Sequence, residues 1–348
     1  MSSPKYIIAR KTIKAKILEL SEKEEGLLRC EYENFQRYLR GEKTVPLYSA
    51  TKQTAESLLM RLNGKLKKEE YPLLLRNDTY RINIEQSPYV LKIPIYGVWG
   101  GIRVPIRTHE PITGDMRYKE AKVIRNGNEW FVHICVEKKV EERTPKNILA
   151  VDMGIRWIAT TVNSSDPLPK FYSRELRKVK GHFFHLRRSL AMKKAYGAIK
   201  RIGGRERRIV NNILHKISRE IVNEALETNA MIVMGNLKGI RGEDRGKRFN
   251  RKLNGFPYYK LSKFIEYKAR WLGIKVVKVN ERNTSKLCHK CGNRGIRRGS
   301  LFKCASCNYS CNADYNGAMN IMKRAMRYTR MAGAALTQPL TRQDEASG

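Results

Sequence analysis

The chain has 348 residues, with 70 Lys and Arg against 33 Asp and Glu, a net charge of +37. That excess is larger than solubility needs and points to a polyanionic partner. Nucleic acid fits better than a membrane surface, because the sequence shows no apolar run of about 18 residues, no signal peptide and no lipidation motif. Hydrophobic residues make up 41%, which excludes a disordered chain and allows two or three domains with their own cores.

Residues 5–20 read as a strand leading into a helical stretch. From Ser21 to about Lys68 apolar residues recur at three- and four-residue steps: Leu27, Leu28, Phe35, Tyr38 and Leu39. A second helix, about Ala50 to Leu66, follows the break at Thr44–Pro46. Strands are expected at Tyr80–Ile84 and Tyr89–Ile95. A hairpin, Lys122–Ile124 with Trp130–Glu137, turns at Asn126-Gly127. Residues 1–145 are therefore a β-rich module with a helical insertion over about 21–68, closed by the boundary at Thr144–Pro145. Cys30 and Cys135 stand alone and are expected to be small buried hydrophobes.

The run from Asn147 to Thr161 is an apolar strand ending in Asp152, a Gly154 turn and a second apolar strand. An Asp at a strand end can present its carboxylate to a metal ion, although Asp near Gly is also an ordinary turn. A further strand is expected near Pro169–Tyr172. Residues 172–228 are basic and helical, and Gly203-Gly204 should break the helix. The half after it carries an apolar stripe at Ile209, Ile213, Leu214, Ile217, Ile221, Val222 and Ala225. The stripe packs on a sheet and leaves the cations for phosphates. Arg187, Arg188, Lys193, Lys194, Lys200, Arg201 and Arg205 are the expected contacts. His215 reads as a packing residue and Trp157 as core.

A buried strand follows over Ala230–Leu237, then a polar loop over Lys238–Asn254, a helix over Pro257–Leu272 ended by Gly273, and a strand from Ile274 that runs into Glu281. Two Cys-x-x-Cys pairs come next, Cys288/Cys291 and Cys304/Cys307. Each pair can put two thiolates on one tetrahedral zinc, and the intervening loop returns the second pair to the first. An odd total of seven cysteines suits a reducing cytoplasm and metal binding better than disulfides. Four thiolates complete a structural site, so Cys311 is left out. Asp314 then opens a helix running to about Arg327, where the same side chain could also serve as N-cap. Residues 329–348 read as a polar, disordered tail.

Three carboxylates, Asp152, Glu281 and Asp314, thus stand at element ends of one α/β domain with a mixed sheet, residues 146–328. Carboxylates that flank a pair of magnesium ions are what two-metal phosphodiester hydrolysis requires. Arg282 and Lys286 are placed beside them to touch a nucleic-acid strand.

The ribbon flanked by Thr284-Ser285 and by Asp314-Tyr-Asn-Gly-Ala-Met-Asn320-Ile, the opening Val151-Asp-Met-Gly, and Lys238-Gly-Ile-Arg after a buried strand together resemble TnpB, the OrfB product of insertion sequences, related to type V CRISPR effectors. The resemblance covers roughly 147–325. It implies an α/β RNase H-like (RuvC-like) nuclease domain with inserted zinc ribbon (286–312), plus an N-terminal β-barrel-like module with helical insertion. It further implies Mg2+-dependent cutting of double-stranded target DNA, a guide RNA from the end of the element, and a prokaryotic, nucleoid-associated, cytoplasmic protein. One departure matters. The usual family pattern ends the buried strand in Ile-Glu-Asp-Leu, with Glu as a catalytic acid. Here the matching residues are Met234-Gly235-Asn236-Leu237.

Either the nuclease is inactive and the chain is an RNA-guided binder, or another acid substitutes. Glu281 ends the strand expected beside the one carrying Gly235, within about 4.8 Å, and the sequence resembles a branch of the family with that arrangement. Glu243 and Asp244, in the polar loop, are the other candidates. A conventional transposase is the reading from a third class, disfavoured because strand transfer in such elements belongs to a separate enzyme.

Overall fold

The computed structural model describes residues 4–236, 246, 250 and 255–331, with side chains as far as 327. Leu237, Lys238–Arg241, Glu243, Asp244 and residues 332–348 lie outside the described residues. The chain divides into two compact units, one formed by residues 8–139 and the other by 1–7 with 140–348.

The first unit is a seven-stranded sheet with a helical pair. Its strands are β1 (Tyr6–Ile17), β2 (Leu73–Leu75), β3 (Arg81–Asn83), β4 (Tyr89–Ile95), β5 (Val98–Thr108), β6 (Arg117–Asn126) and β7 (Glu129–Glu141), ordered β2-β6-β7-β1-β5-β4-β3. The β1 residues Ala9, Ile13, Ala15 and Ile17 are buried at alternate positions, as the period of two requires. Between β1 and β2 lie α1 (Glu22–Leu39) and α2 (Ser49–Arg61). Ser21 and Glu24 form a reciprocal capping box at the start of α1. The second helix stops five residues short of Leu66, because Asn63 and Gly64 turn into the left-handed region at φ 50° and 68°.

Glu31, buried on α1, holds the insertion in place. One carboxylate oxygen accepts from the Tyr48 N–H at 3.1 Å and the other from the Tyr96 N–H at 3.0 Å. Cys30 is not buried: it sits on the outer face of α1 and is exposed, while Cys135 is half-buried. The helix turns Leu28, Phe35 and Tyr38 inward instead.

The second unit is built on a mixed five-stranded sheet. Its strands are β8 (Asn147–Asp152), β9 (Ala159–Asn163), β10 (Lys170–Tyr172), β11 (Ala230–Asn236) and β12 (Val276–Asn280), ordered β10-β9-β8-β11-β12. Strands β8, β9 and β10 are antiparallel, while β11 runs parallel to β8 and to β12. The connecting helices are α3 (Glu175–Met192), α4 (Tyr196–Glu227) and α5 (Tyr258–Trp271), and α6 (Ala313–Met331) follows the ribbon.

Helices cover both faces, so residues 148–151 and 230–234 of the central strands are apolar on both sides. Leu149, Val151, Ile232 and Met234 face the α4 stripe (Val210, Leu214, Ile217, Ile221) and Leu261, Ile265 and Ala269 of α5. Ile148, Ala150, Met231, Val233 and Val279 face Ala318, Met319, Ile321 and Met322 of α6. His215 stacks on Phe264 at 4.0 Å between centroids, and Trp157 lies half-buried 5.3 Å from Phe171.

The helix does not break at Gly203-Gly204. α4 runs unbroken through both, and the interruption comes earlier, at Lys193–Ala195, where Lys194 has φ 54°. A helical glycine costs only about 1 kcal/mol, and the long apolar face of α4 outweighs two of them.

Candidate metal centres

Strand parity decides where the acids point. Successive β residues alternate between faces. In β8, Ile148 and Ala150 face α6, so Asp152 does too. In β11 the same face takes Met231 and Val233, and then Gly235. In β12 it takes Val277 and Val279 and, just past the strand, Glu281. The parallel register aligns Gly235 with Val279 and Asn236 with Asn280, so Glu281 emerges one residue beyond the last pair, over Gly235. A Cβ built on Gly235 would overlap the Glu281 carboxylate and its γ carbon. The side chain missing from β11 and the one added after β12 therefore share one volume.

On the opposite side of the cluster, Asp152 needs a second glycine. A Cβ on Gly317, in the first turns of α6, would stand 2.6 Å from Asp152 Oδ2. Asp314 enters from the same helix, 4% exposed. A Cβ on Gly154 would lie 3.7 Å from its Oδ1. Asp314 is not the N-cap. Asn312 holds that position, its Oδ1 accepting from the Asp314 N–H at 2.8 Å and the Tyr315 N–H at 3.3 Å. Capping by Asn312 leaves the Asp314 carboxylate free to face the sheet.

The electrostatics of this cluster are those of acids waiting for cations. Burial, followed by the negative charges of Glu281 and Asp314, pushes the Asp152 carboxyl up to about 8, with Arg297 opposing. Burial pushes Glu281 up to about 7, and Arg324 pulls the other way. Glu281 Oε1 and Asp314 Oδ2 are buried oxygens without a hydrogen-bond partner, an expensive state unless an ion meets them. Oxygen donors of this kind suit magnesium. The three acids do not, however, close into a cage for a single ion as the thiolates do.

Two arginines that sequence reasoning missed complete the surroundings. Arg297, on the ribbon hairpin, donates to Asp314 Oδ1 at 2.8 Å. Arg324, on α6, donates to the carbonyls of Asn280 and Arg282. Only the folded hairpin brings Arg297 in from 17 positions upstream of Asp314, so no local spacing betrays it.

The second centre is the ribbon, with β13 (Gly295–Arg298), β14 (Leu301–Cys304) and β15 (Ser310–Asn312) as a three-stranded antiparallel sheet. The Sγ atoms of Cys288, Cys291, Cys304 and Cys307 all lie within 4.8 Å of one another. Cys288 is 3.7 Å from Cys307, and Cys291 is 3.5 Å from Cys304. Four thiolates about 2.3 Å from a tetrahedral zinc would be about 3.8 Å apart, so the donor set fits. Backbone N–H donors in the second knuckle hold the Cys304 thiol below the usual range. Cys311 stays outside the cluster, as expected, its thiol pushed up to about 11 by burial.

Of the expected nucleic-acid contacts, Arg188, Lys193, Lys194, Lys200, Arg201, Arg205 and Arg282 are exposed, as is Lys286. Arg187 instead turns to Glu206, which is 7% exposed and also takes Lys180 at 2.9 Å. That pair ties α3 to α4. Among the described residues no helix is long and apolar enough to cross a membrane.

Residues 258–321 match the model of the Cas12f1-like TNB domain. A TnpB-like protein of Methanocaldococcus jannaschii is 29% identical over 236 residues, 62% of this chain and 85% of that protein. The chain is similar to TnpB-like proteins. The CRISPR-associated endodeoxyribonuclease Cas12f1 of Sulfoacidibacillus thermotolerans is 30% identical over 233 residues, 60% of this chain; the match spans 54% of that longer protein. In three dimensions the chain is similar to Cas12f1 in its complex with single-guide RNA and target DNA, with TM-score 0.59, 16% identity, and 86% and 82% of the two chains covered. At that identity the likeness shows a shared fold.

Proposed function

We propose that this chain is an RNA-guided DNA endonuclease that hydrolyses phosphodiester bonds with Asp152, Glu281 and Asp314. The reading takes the second unit as RNase H-like (RuvC-like) and the first as a wedge-like, barrel-like module with a helical recognition insert. The observation that carries it is the exchange at Gly235: Glu281 fills the space that a side chain there would occupy, beside Asp152 and facing the first turn of α6. Loss of an acid at one strand end and its replacement from the adjacent strand is not what decay produces.

Asp152, Glu281 and Asp314 would hold magnesium, two ions on this reading, and Cys288, Cys291, Cys304 and Cys307 would hold structural zinc. Bound magnesium supplies positive charge at the phosphodiester and a water of lowered pKa. The side chains supply the rest. Asp152 and Glu281, raised toward neutrality, can give up their protons near pH 7 as cations arrive. Arg297, resting on Asp314, is a cationic donor beside the acids that could also serve a phosphate oxygen. The exposed cations of α3 and α4 suit a guide RNA, derived from the element end, paired with its DNA target. The kinship with a protein named a CRISPR-associated endodeoxyribonuclease and a net charge of +37 support that partner.

The test is cleavage of matched duplex DNA with Mg2+ by the chain purified with its co-expressed RNA, wild type against Glu281→Ala. Cutting that disappears with Glu281 is the expected outcome, and cutting unaffected by the change would remove Glu281 from the site. Gly235 also supports a second reading, an RNA-guided binder that does not cut. Tight target binding without cutting by the wild type would establish it.

A further inference from the structure

Glu281 has an anchoring problem that an acid at position 235 would not have. Position 235 lies inside the β11 ladder, between paired neighbours, whereas Glu281 follows the last pair, Asn236 with Asn280. Beyond that pair the backbone leaves the sheet: the Glu281 carbonyl is held only by a turn, accepting from the Thr284 N–H at 3.1 Å and hydroxyl at 3.0 Å, and the next β pairing is the single bridge between Leu287 and Arg294. A ligand must nonetheless be fixed within a fraction of an ångström to serve a metal.

We propose that Arg324, supported by Asn316 and Asn320, is a positioning residue for Glu281: it fastens the segment that carries the acid to the helix that carries Asp314. This inference rests on reading Glu281 as a metal ligand. Residues 316, 320 and 324 follow at four-residue steps and lie on one face of α6. Asn320 Nδ2 donates to the Thr284 and Leu287 carbonyls, both at 2.8 Å. Asn316 Nδ2 donates to Leu287 O at 2.8 Å, and its Oδ1 accepts from the His289 N–H at 3.0 Å. Lys323 reaches His289 O from the adjoining position.

Arg324 completes the row at the acid itself. Its two terminal nitrogens donate to the carbonyls of Asn280 and Arg282, the residues on either side of Glu281. One rigid fork thus pins the backbone before and after the ligand. The same face of α6 grips Leu287 and His289, which flank the zinc-binding Cys288. Both metal centres are therefore registered against one helix.

The tether and the charge of Arg324 predict opposite effects. A guanidinium beside a metal site repels the cation, so removing its charge alone would tighten metal binding. Removing a fork that orients a ligand loosens it, by about tenfold or more for a residue acting through another. Lysine keeps the charge but not the planar fork.

The experiment measures Mn2+ binding, by electron paramagnetic resonance or calorimetry, to the full zinc-loaded chain and to Arg324→Gln, Arg324→Lys, Glu281→Gln and the double variant Glu281→Gln/Arg324→Gln. Zinc content reports whether each variant folds. Both Arg324 variants should bind Mn2+ about tenfold more weakly, and the double variant should bind no worse than Glu281→Gln alone. If Arg324→Gln does not fold, Arg324→Lys with Asn320→Ala carries the test. Binding by the Arg324 variants as tight as wild type, or tighter, would overturn the positioning role. So would full additivity in the double variant. If Glu281→Gln itself leaves Mn2+ binding unchanged, the ligand reading fails and the positioning role with it. A loss at Glu281 without a loss at Arg324 defeats only the latter.

Discussion

Four thiolates lie inside the stretch from Glu281 to Asp314, whose two ends are two of the three carboxylates, and the two sets are assembled in opposite ways. The thiolates come from two short local turns and already stand at the spacing that a tetrahedral ion imposes, 3.5 and 3.7 Å for the two close pairs. The carboxylates come from β8, the end of β12 and the start of α6, and are crowded and partly unpartnered, with Asp152 and Glu281 shifted toward neutrality. A closed soft site can be finished by its own chain segment. An open hard site needs the whole sheet to be built first, and stays under electrostatic strain until cations and a phosphate arrive. The stable centre thereby becomes the scaffold of the strained one, since the ribbon joins two of the three acids, Glu281 and Asp314, and delivers Arg297 to the second of them.

The most damaging way to break this relation is to remove the scaffold. Cys304→Ser should lose zinc, because three ligands no longer close the tetrahedron, and ribbon folding depends on the metal. Cleavage should fall below detection while guide RNA remains bound, as measured by co-purified RNA and metal content of the same preparation. Retention of cutting without zinc would separate the two centres. The next effect is Glu281→Ala, with cleavage down by about a hundredfold or more. A sharper version moves the acid back: Gly235→Glu combined with Glu281→Gly should recover part of the activity. Gly235→Ala alone should be severely impaired, because its methyl group meets the Glu281 carboxylate.

A smaller effect concerns pH. The folded-state pKa values of Asp152, about 8, and Glu281, about 7, lie above their ordinary values of 3.8 and 4.5. Without magnesium, the folded chain keeps protons that the unfolded chain has already released. Stability contributed by these groups is therefore lost as pH rises from the ordinary carboxylate range to about 8. Asp152→Asn removes that dependence at its site. Its melting temperature relative to wild type should climb between pH 6 and pH 8.5 in zinc-loaded, magnesium-free protein, and added Mg2+ should shrink the gap. A constant gap across that range would mean that the acids are not under the strain described.

How much of this was legible in the sequence follows from the same contrast. The thiolates announce themselves by local spacing, and Asp152 and Asp314 by their places at element ends. The choice of Glu281 rested on the resemblance to a branch of the family and on the assumption that its strand neighbours the strand of Gly235; the register bears out that adjacency. Gly317, Arg297 and Arg324 were invisible because their roles depend on contacts across layers. β5 escaped notice because Gly100-Gly101 and Pro105 interrupt its pattern, although the strand tolerates them. Cys30 was misread for another reason: isolated cysteines are usually buried, but on α1 the apolar face falls on Leu28, Phe35 and Tyr38, and position 30 points away.

The least effect, and the one that tests local against tertiary control, lies at Gly203 and Gly204. Both sit inside α4 with no positive φ; nothing lies within 4 Å of a Cβ on Gly203, and only Arg208 Nη1, at 3.9 Å, on Gly204. A methyl group there would add no clash and would reduce the freedom of the unfolded chain. Gly203→Ala should therefore stabilise the protein by up to about 1 kcal/mol, read as a modest rise in melting temperature. If the pair instead serves as a hinge that must open when nucleic acid binds, the stabilised variant should pay for it with weaker RNA binding. Unchanged RNA binding, the expected result, would mark the glycines as tolerated by a helix whose apolar face holds it to the sheet.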